Sequence, residues 1–413
     1  MKILIASDVY HSQINGVVIS IDILVRELEA EGHDVRILTL SPSRKSKIDE
    51  KVYYNSSVSA VVYPNMRIFP RFNNEIRKDI LGWEPELIHT QSEFSVFYFA
   101  RQIAKKLNIP IVHTYHTLYQ YYAGYVIPGK RLSNYVVKKY LRGILNKTNC
   151  VIVPTEKVRV CLENHSINPE IKIVPTGIVT RLPEKISEKR KKELKIAHHI
   201  SEDKKIILSV GRIGKEKNLQ ELISYMPELV KVKPNTQLVI VGDGPYKNEL
   251  VRMVKKKNLE TIVLFVGMIP HEELNEIYQL GDLFVSASIS ETQGLTILEA
   301  MTNGLPLVCR EDQSFYGTLC PGENGLFYQD KNTYLQGICK ILNDTGLHYE
   351  FSKQSRRIAS SYSTGDFAGK VETIYMKIVK DWTKSKIIDI GYEEKSKDVV
   401  ICNHVFTQRL SLK

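Results

Sequence analysis

In "IILSVGRIGKEKNLQELISYMPELVKVKPNTQLVIVGDG", residues 206–244, two short apolar runs flank a longer amphipathic stretch. The runs "IILSVG" (206–211) and "TQLVIVG" (236–242) read as strands, and "QELISYMPELVKVKP" between them reads as a helix. A strand, a crossover helix and a second strand make a parallel pair. The same punctuation continues outward through "IVLFVG" (262–267), "DLFVSAS" (282–288) and "LPLVC" (305–309), with a further helix around "HEELNEIYQLG". Upstream, "KILIAS" (2–7), "VRILTL" (35–40), "ELIHT" (86–90), "IPIVHT" (109–114) and "CVIVPT" (150–155) form an earlier series. There "SIDILVRELEAEGH" (20–33) has helical spacing, and Gly32 is placed to end the helix.

Strand–helix alternation predicts parallel sheets covered by helices on both faces. The expectation is therefore an α/β chain with two doubly wound domains facing a cleft. Residues 1–180 form the first, 181–204 a charged linker and 205–365 the second. Residues 366–383 are a helix returning to the first domain, and 384–413 a tail without an assigned role. Ligands of such sheets sit beyond the carboxyl ends of the strands, and two facing sheets make a cleft there.

The bulk properties narrow the class. A chain of 413 residues exceeds one compact core, and 43% apolar with 25% charged residues is ordinary for a globular protein. The six cysteines are scattered without a C-x-x-C pair, which predicts reduced thiols rather than disulfides or zinc. "MKILIASDVY" begins a strand at once without a signal-peptide pattern, and no apolar run approaches the ~20 residues that span a bilayer. A cytoplasmic protein that meets a membrane only at its surface is expected.

The net charge is +11 and uneven: residues 1–180 hold 23 Lys/Arg against 16 Asp/Glu, residues 205–365 hold 17 against 18. From Phe94 to Thr155 there are nine basic residues and no acid. Such a face suits nucleic acid, anionic lipid or solvent alone. No helix-turn-helix, RRM or zinc pattern accompanies it, which counts against nucleic acid.

Candidate chemistry clusters at strand ends. "SVGRIGKEKNL" sets Arg212 and Lys217 beside Gly211 and Gly214, a group that suits a diphosphate or a solvated turn. "VGDGPYKNEL" (241–250) has Gly242 and Gly244 but Lys247 where a dinucleotide fingerprint needs its third glycine, so a tight turn is expected. In "ETQGLTILEAMTNGLP" (291–306), Gly294, Leu295 and Thr296 open a helix whose first N–H groups offer an anion or hydroxyl site. Glu299, one turn in, could accept from a ribose diol and Glu291 from a sugar ring, although a first-turn Glu is favoured by the helix dipole alone. In "SDVYHSQINGVVISI" (7–21), Gly16 sits between strand and helix while Asp8 and Asn15 read as caps. "HTYHTLYQYY" (113–122) brings His113 and His116, which are as suited to structure as to catalysis. No D-x-D exists to hold a divalent metal on a leaving diphosphate, so Arg212 and Lys217 are left to supply that charge.

Taken together, the chain resembles the retaining glycosyltransferases of the GT4 family, with their GT-B fold. Glu291 to Glu299 matches the family's E-x7-E pattern, and the resemblance runs from about residue 1 to 380. "SDVYHSQINGVVISI", "IHTQSEFS" (88–95), "HTYHTLYQYY", "VPTEKVR" (153–159), "VPTGI" (174–178), "GRIGKEKN" and "SETQGLT" are most similar to the bacterial members that glucosylate 1,2-diacylglycerol. The resemblance implies UDP-glucose as donor, diacylglycerol as acceptor, an α-linked product and no protein-held metal or cofactor. It implies Arg212 and Lys217 on the diphosphate, Glu299 on the ribose, and Glu291 with Gly294, Leu295 and Thr296 on the sugar and phosphate. Gly16 faces the phosphates from the first domain, His116 lies near the transferred sugar, and the uracil rests against Gly267, Met268 and Ile269. Retention in such enzymes proceeds by front-face attack, with the leaving diphosphate helping to take the acceptor's proton, so no general base is assigned.

"YVIPGKRLSNYVVKKYLRGILNK" (125–147) mixes Lys130, Arg131, Lys138, Lys139, Arg142 and Lys147 with Tyr135, Val136, Tyr140, Leu141, Ile144 and Leu145. That mixture predicts docking on an anionic membrane at the inner face of the cell membrane. A lipid-carrier-linked or surface-polysaccharide acceptor would keep the same donor motifs. A nucleic-acid-binding protein would explain only the charge, and a non-catalytic nucleotide-sugar-binding module only the cations.

Overall fold

The computed structural model describes residues 1–10, 15–59, 67–68, 71–119, 130–180 and 184–385. Chain order gives β1 (Lys2–Ala6), β2 (Asp34–Leu40), β3 (Lys47–Asp49), β4 (Val52–Asn55), the ribbon β5 (Val58–Ser59) and β6 (Arg67–Ile68), β7 (Leu87–Thr90), β8 (Ile111–Thr114), β9 (Cys150–Val153) and β10 (Glu170–Ile173). The first sheet runs β10-β9-β8-β7-β1-β2-β4-β3, parallel except where β3 pairs antiparallel with β4. The second half supplies β11 (Lys205–Val210), β12 (Thr236–Val241), β13 (Val263–Gly267), β14 (Leu283–Ser286), β15 (Leu307–Arg310) and β16 (Gly325–Tyr328). They form one parallel sheet in the order β13-β12-β11-β14-β15-β16. The two doubly wound sheets are those expected from the alternating pattern.

Continuous apolar runs make these strands because both sheet faces are covered. Ile3, Leu4 and Ile5 are all buried, as are Ile206, Ile207 and Leu208. In each sheet the order reverses beside the first strand, between β1 and β7 and between β11 and β14. Those reversals open a crevice at the carboxyl ends. Every candidate site residue other than Gly267–Ile269 follows one of β1, β8, β11 or β14.

The helix Gly16–Ala30 is capped by the Asn15 side chain, which accepts from Val17 and Val18 N–H. It ends where Gly32 turns left-handed at φ 85°. The linker contains the helix Glu188–Ala197, of which only Leu194 is buried. A helix over 364–385 follows the second sheet. Its Phe367, Ala368, Val371, Ile374 and Tyr375 join the core of the first domain beside Ile3, Ile21 and Leu24. The chain crosses there in close contact: Ile178 N–H donates to Tyr362 C=O at 2.8 Å. A Cβ at Gly177 would stand 2.6 Å from the Ser363 carbonyl oxygen.

Candidate active site

The carboxyl end of β11 delivers Gly211, Arg212 and, after one turn of 3-10 helix, Lys217. Gly211 has φ 145°, and Gly242 packs so tightly behind it that a Cβ there would meet the Gly211 carbonyl at 2.0 Å. Gly244 abuts Ile213 in the same way, so the 241–250 stretch is a turn that buttresses the Arg212 loop. Across the crevice, β14 leads into a loop ending at Gly294, whose φ of 85° starts the helix Leu295–Thr302. No side chain caps that helix. Its first N–H groups and the positive end of its dipole are therefore available to an anion.

One cavity gathers Ser209, Gly211, Arg212, Lys217, Ser288, Glu291 and Thr296 along its walls. Lys217 Nζ pairs with Glu291 Oε1. Burial pushes the Glu291 carboxyl up, but the adjacent Lys217, joined by Ser288 and Lys157, more than offsets it and leaves the group below its ordinary value. Arg212 is 43% exposed, and its guanidinium stands 3.8 Å from the buried Glu216 carboxylate. On the next turn Glu299 accepts from the Tyr278 hydroxyl at 2.7 Å. Burial raises the Glu299 carboxyl, and the Tyr278 hydrogen bond works against it. Tyr278 thus fixes one carboxylate oxygen.

The first domain meets the same loop. An added Cβ on Gly16 would lie 3.3 Å from Leu295 Cδ1, so two helix N-termini approach each other across the cleft. Thr292 Oγ1 donates to the His116 carbonyl at 3.2 Å. The His116 ring contacts Gln91 Oε1 through Nε2 at 2.7 Å. Burial, helped by neighbouring His113, pulls the His116 imidazole down to about 3, so it is neutral at physiological pH and a weak base. His113 is fully buried between Thr90 and Glu93, a structural histidine. Gly267, Met268 and Ile269 lie apart from this cavity, at the end of β13, two strands from β11, with Met268 exposed.

Asp8 caps a helix other than its own. Its Oδ1 accepts from Val96 N–H at 3.1 Å and its Oδ2 from Ser92 Oγ at 2.5 Å, serving the helix Ser95–Leu107, whose own N-cap Phe94 lacks a side-chain bond. Burial pushes the Asp8 carboxyl up to about 6 despite those donors. A raised acid keeps its proton in the folded state while the unfolded chain releases it. Stability from this group therefore falls as pH rises from about 4 to 6 and is level above. In Asp8→Asn that slope is expected to vanish from Tm against pH, as thermal melts of both proteins across pH 4–8 will measure. An unchanged slope would place the titration elsewhere.

The sequence missed several residues that order this site. Tyr278, which holds Glu299, sits in a plain helical stretch. Lys157 lies in the quoted "VPTEKVR" run without a role of its own, and its Nζ reaches Asp312 and the Glu291 carbonyl. Only the position of that run after β9 signalled it. Two cations, an uncapped helix start and two carboxylates eight residues apart fit an anion bearing diols or sugar hydroxyls.

Two family descriptions match the chain: "Glycosyltransferase Family 4" over residues 14–182 and "Glycosyl transferases group 1" over 190–358. The alpha-monoglucosyldiacylglycerol synthase of Streptococcus pneumoniae is 34% identical over 79% of this chain and 76% of its own. The enzyme of the same name from Acholeplasma laidlawii is 31% identical over 92% of this chain and 98% of its own. The structure of sucrose-phosphate synthase from Thermosynechococcus elongatus superposes with a TM-score of 0.72 at 22% identity, covering 92% of this chain and 99% of that one. This last likeness concerns the fold.

Proposed function

The chain belongs to glycosyltransferase family 4, sugar-nucleotide-dependent hexosyltransferases of GT-B fold, and on that premise we propose that it moves glucose from UDP-glucose to 1,2-diacylglycerol with retention of configuration. The observation that carries this reading is its similarity, across most of the chain, to two synthases of α-monoglucosyldiacylglycerol. The site geometry supports it.

In this reading Arg212 and Lys217 hold the diphosphate, and Gly16 lets it approach from the first domain. Glu299, steadied by Tyr278, takes the ribose diol, and uracil rests on Gly267, Met268 and Ile269. Glu291 and the N–H groups of Leu295 and Thr296 hold the glucose and the nearer phosphate, and His116 orients a sugar hydroxyl as a neutral ring. The cations stabilise the charge that grows on the diphosphate as the glycosidic bond breaks. That differential stabilisation lowers the barrier.

Among the described residues no helix is long and apolar enough to cross a membrane. The helix Lys130–Leu145 presents Leu132, Tyr135 and Val136 to solvent, and Tyr98 on the helix Ser95–Leu107 is exposed as well. Lys139, Arg142 and Lys147 are also exposed. Leu141, Ile144 and Leu145, expected on the docking face, are core residues instead, packed on Val151 and Val153. The side chains of Lys130 and Arg131 lie outside the described residues. The remaining face is smaller but still joins apolar groups to basic ones, which suits peripheral docking on an anionic cytoplasmic surface.

Radiolabelled transfer from UDP-glucose into vesicles, with and without diacylglycerol and anionic lipid, tests the reading. Diacylglycerol-dependent label that rises with anionic lipid is the expected result. UDP release with no labelled lipid would redirect the acceptor to a lipid carrier or a polysaccharide.

A further inference from the structure

Lys157 is the second residue of a short helix, Glu156–Glu163, in the first domain, yet its ammonium reaches residues of the second. Nζ stands 2.7 Å from each oxygen of Asp312 and 3.3 Å from the Glu291 carbonyl. The pair is well shielded, with side-chain exposures of 13% and 11%. A shielded ion pair adds little net stability, because desolvation offsets the attraction, so its value lies in what it holds in place.

Asp312 is fixed from below by Ser314, whose N–H and Oγ donate to Oδ1 at 2.8 and 2.6 Å. It caps the turn Gln313–Phe315. Phe315, fully buried, packs on Gly294, where an added Cβ would meet its ring at 2.9 Å. One ammonium therefore reaches the donor loop at both ends: directly at Glu291, and through Asp312 and Phe315 at the start of the helix Leu295–Thr302. Neighbouring contacts from the first domain repeat the pattern. Thr155 Oγ1 donates to the Thr292 carbonyl at 2.7 Å, while Thr176 N–H donates to Gln293 Oε1 at 2.8 Å.

We infer that Lys157 is a positioning residue for the transfer reaction: it latches the first domain onto Asp312 and sets the Glu291–Gly294 loop only when the domains are closed. This rests on the reading that this loop holds the donor sugar. The latch makes that loop's geometry conditional on the acceptor-bearing domain being in place, so donor cleavage is tied to closure. Lys157, Asp312 and Phe315 are not among the residues that line the cavity.

The test compares wild type with Lys157→Met, Lys157→Arg and Asp312→Asn, measuring UDP affinity, steady-state glucose transfer to diacylglycerol vesicles, UDP release without transfer, and Tm. Misplacing the loop is expected to lower transfer kcat about 10- to 100-fold in Lys157→Met. UDP affinity should change far less, and the ratio of UDP release to transfer should rise. Lys157→Arg, which can still reach Asp312, should recover most of the loss. Asp312→Asn should reproduce the Lys157→Met defect and serves if that variant does not fold. Unchanged kcat and release ratio in folded variants, a loss matching the fall in UDP affinity or Tm, or no recovery by arginine would overturn the inference. Wild type that binds no UDP would remove the donor-site reading and the latch with it, whereas active wild type with indifferent variants removes the latch alone.

Discussion

Lys217→Ala is expected to lower glucose transfer by about 10²- to 10³-fold while the protein still folds and binds UDP, the range seen when one preorganised charge-stabilising donor is removed. The reason lies in where the ammonium sits. It stands beyond the carboxyl end of β11, paired with Glu291, and lines the same cavity as Thr296 in the first turn of the uncapped helix. A cation so placed gains most when the diphosphate departs, so kcat should fall more than UDP affinity. The deletion also leaves Glu291 buried without its main partner, and burial then raises that carboxyl. The variant should therefore acquire an added pH dependence, with residual activity changing as Glu291 takes up a proton. Steady-state kinetics of wild type, Lys217→Ala and Lys217→Arg across pH 5–8 measure this. Near-normal turnover in the alanine variant would remove Lys217 from the mechanism.

Glu299→Ala should act on binding rather than on the chemical step. A carboxylate accepting from a ribose diol contributes about 1.5–3 kcal/mol, so UDP affinity is expected to weaken roughly 10- to 100-fold. Tyr278→Phe should show a smaller loss of the same kind, because it frees the carboxylate from its 2.7 Å anchor without removing it. Calorimetric titration with UDP separates the two. Wild-type affinity in Glu299→Ala would show that the ribose lies elsewhere, and the carboxylate would then serve only Tyr278.

Much of this was legible in the sequence because parallel sheets write themselves as unbroken apolar runs punctuated by glycine. The runs around Ile3–Ile5 and Ile206–Leu208 could hardly be anything else. Edge strands were harder to see: β10 reads "EIKI", two of its four residues charged and none of them buried, and β3 is only three residues, all exposed. At the site, Arg212, Lys217, Glu291 and Thr296 stood out because residues at strand ends have no core to fill, and the fold brings them round one cavity. The partners escaped notice. Tyr278, Asp312 and Lys157 are ordinary in their local context, and only the meeting of segments more than 130 residues apart gives Lys157 its place. The basic helix shows the converse error. Its apolar residues were all read as one docking surface, whereas Leu141 and Ile144 face the core and only Tyr135 and Val136 are left to solvent, a division that depends on the sheet beneath.

The chain passes between the halves twice, once after Ile178 and once before the helix over 364–385, and the two passages touch, Ile178 bridging Ser363. Two adjacent pivots define an axis. With both crossings at one place, a swing of the halves about it, as for a door hung on paired hinges, would disturb the chain least. Gly177, pressed against Ser363, has no room for a side chain at the pivot. Such a swing would carry Gly16, His116 and Lys157 together, since all three meet the segment from Glu291 to Leu295.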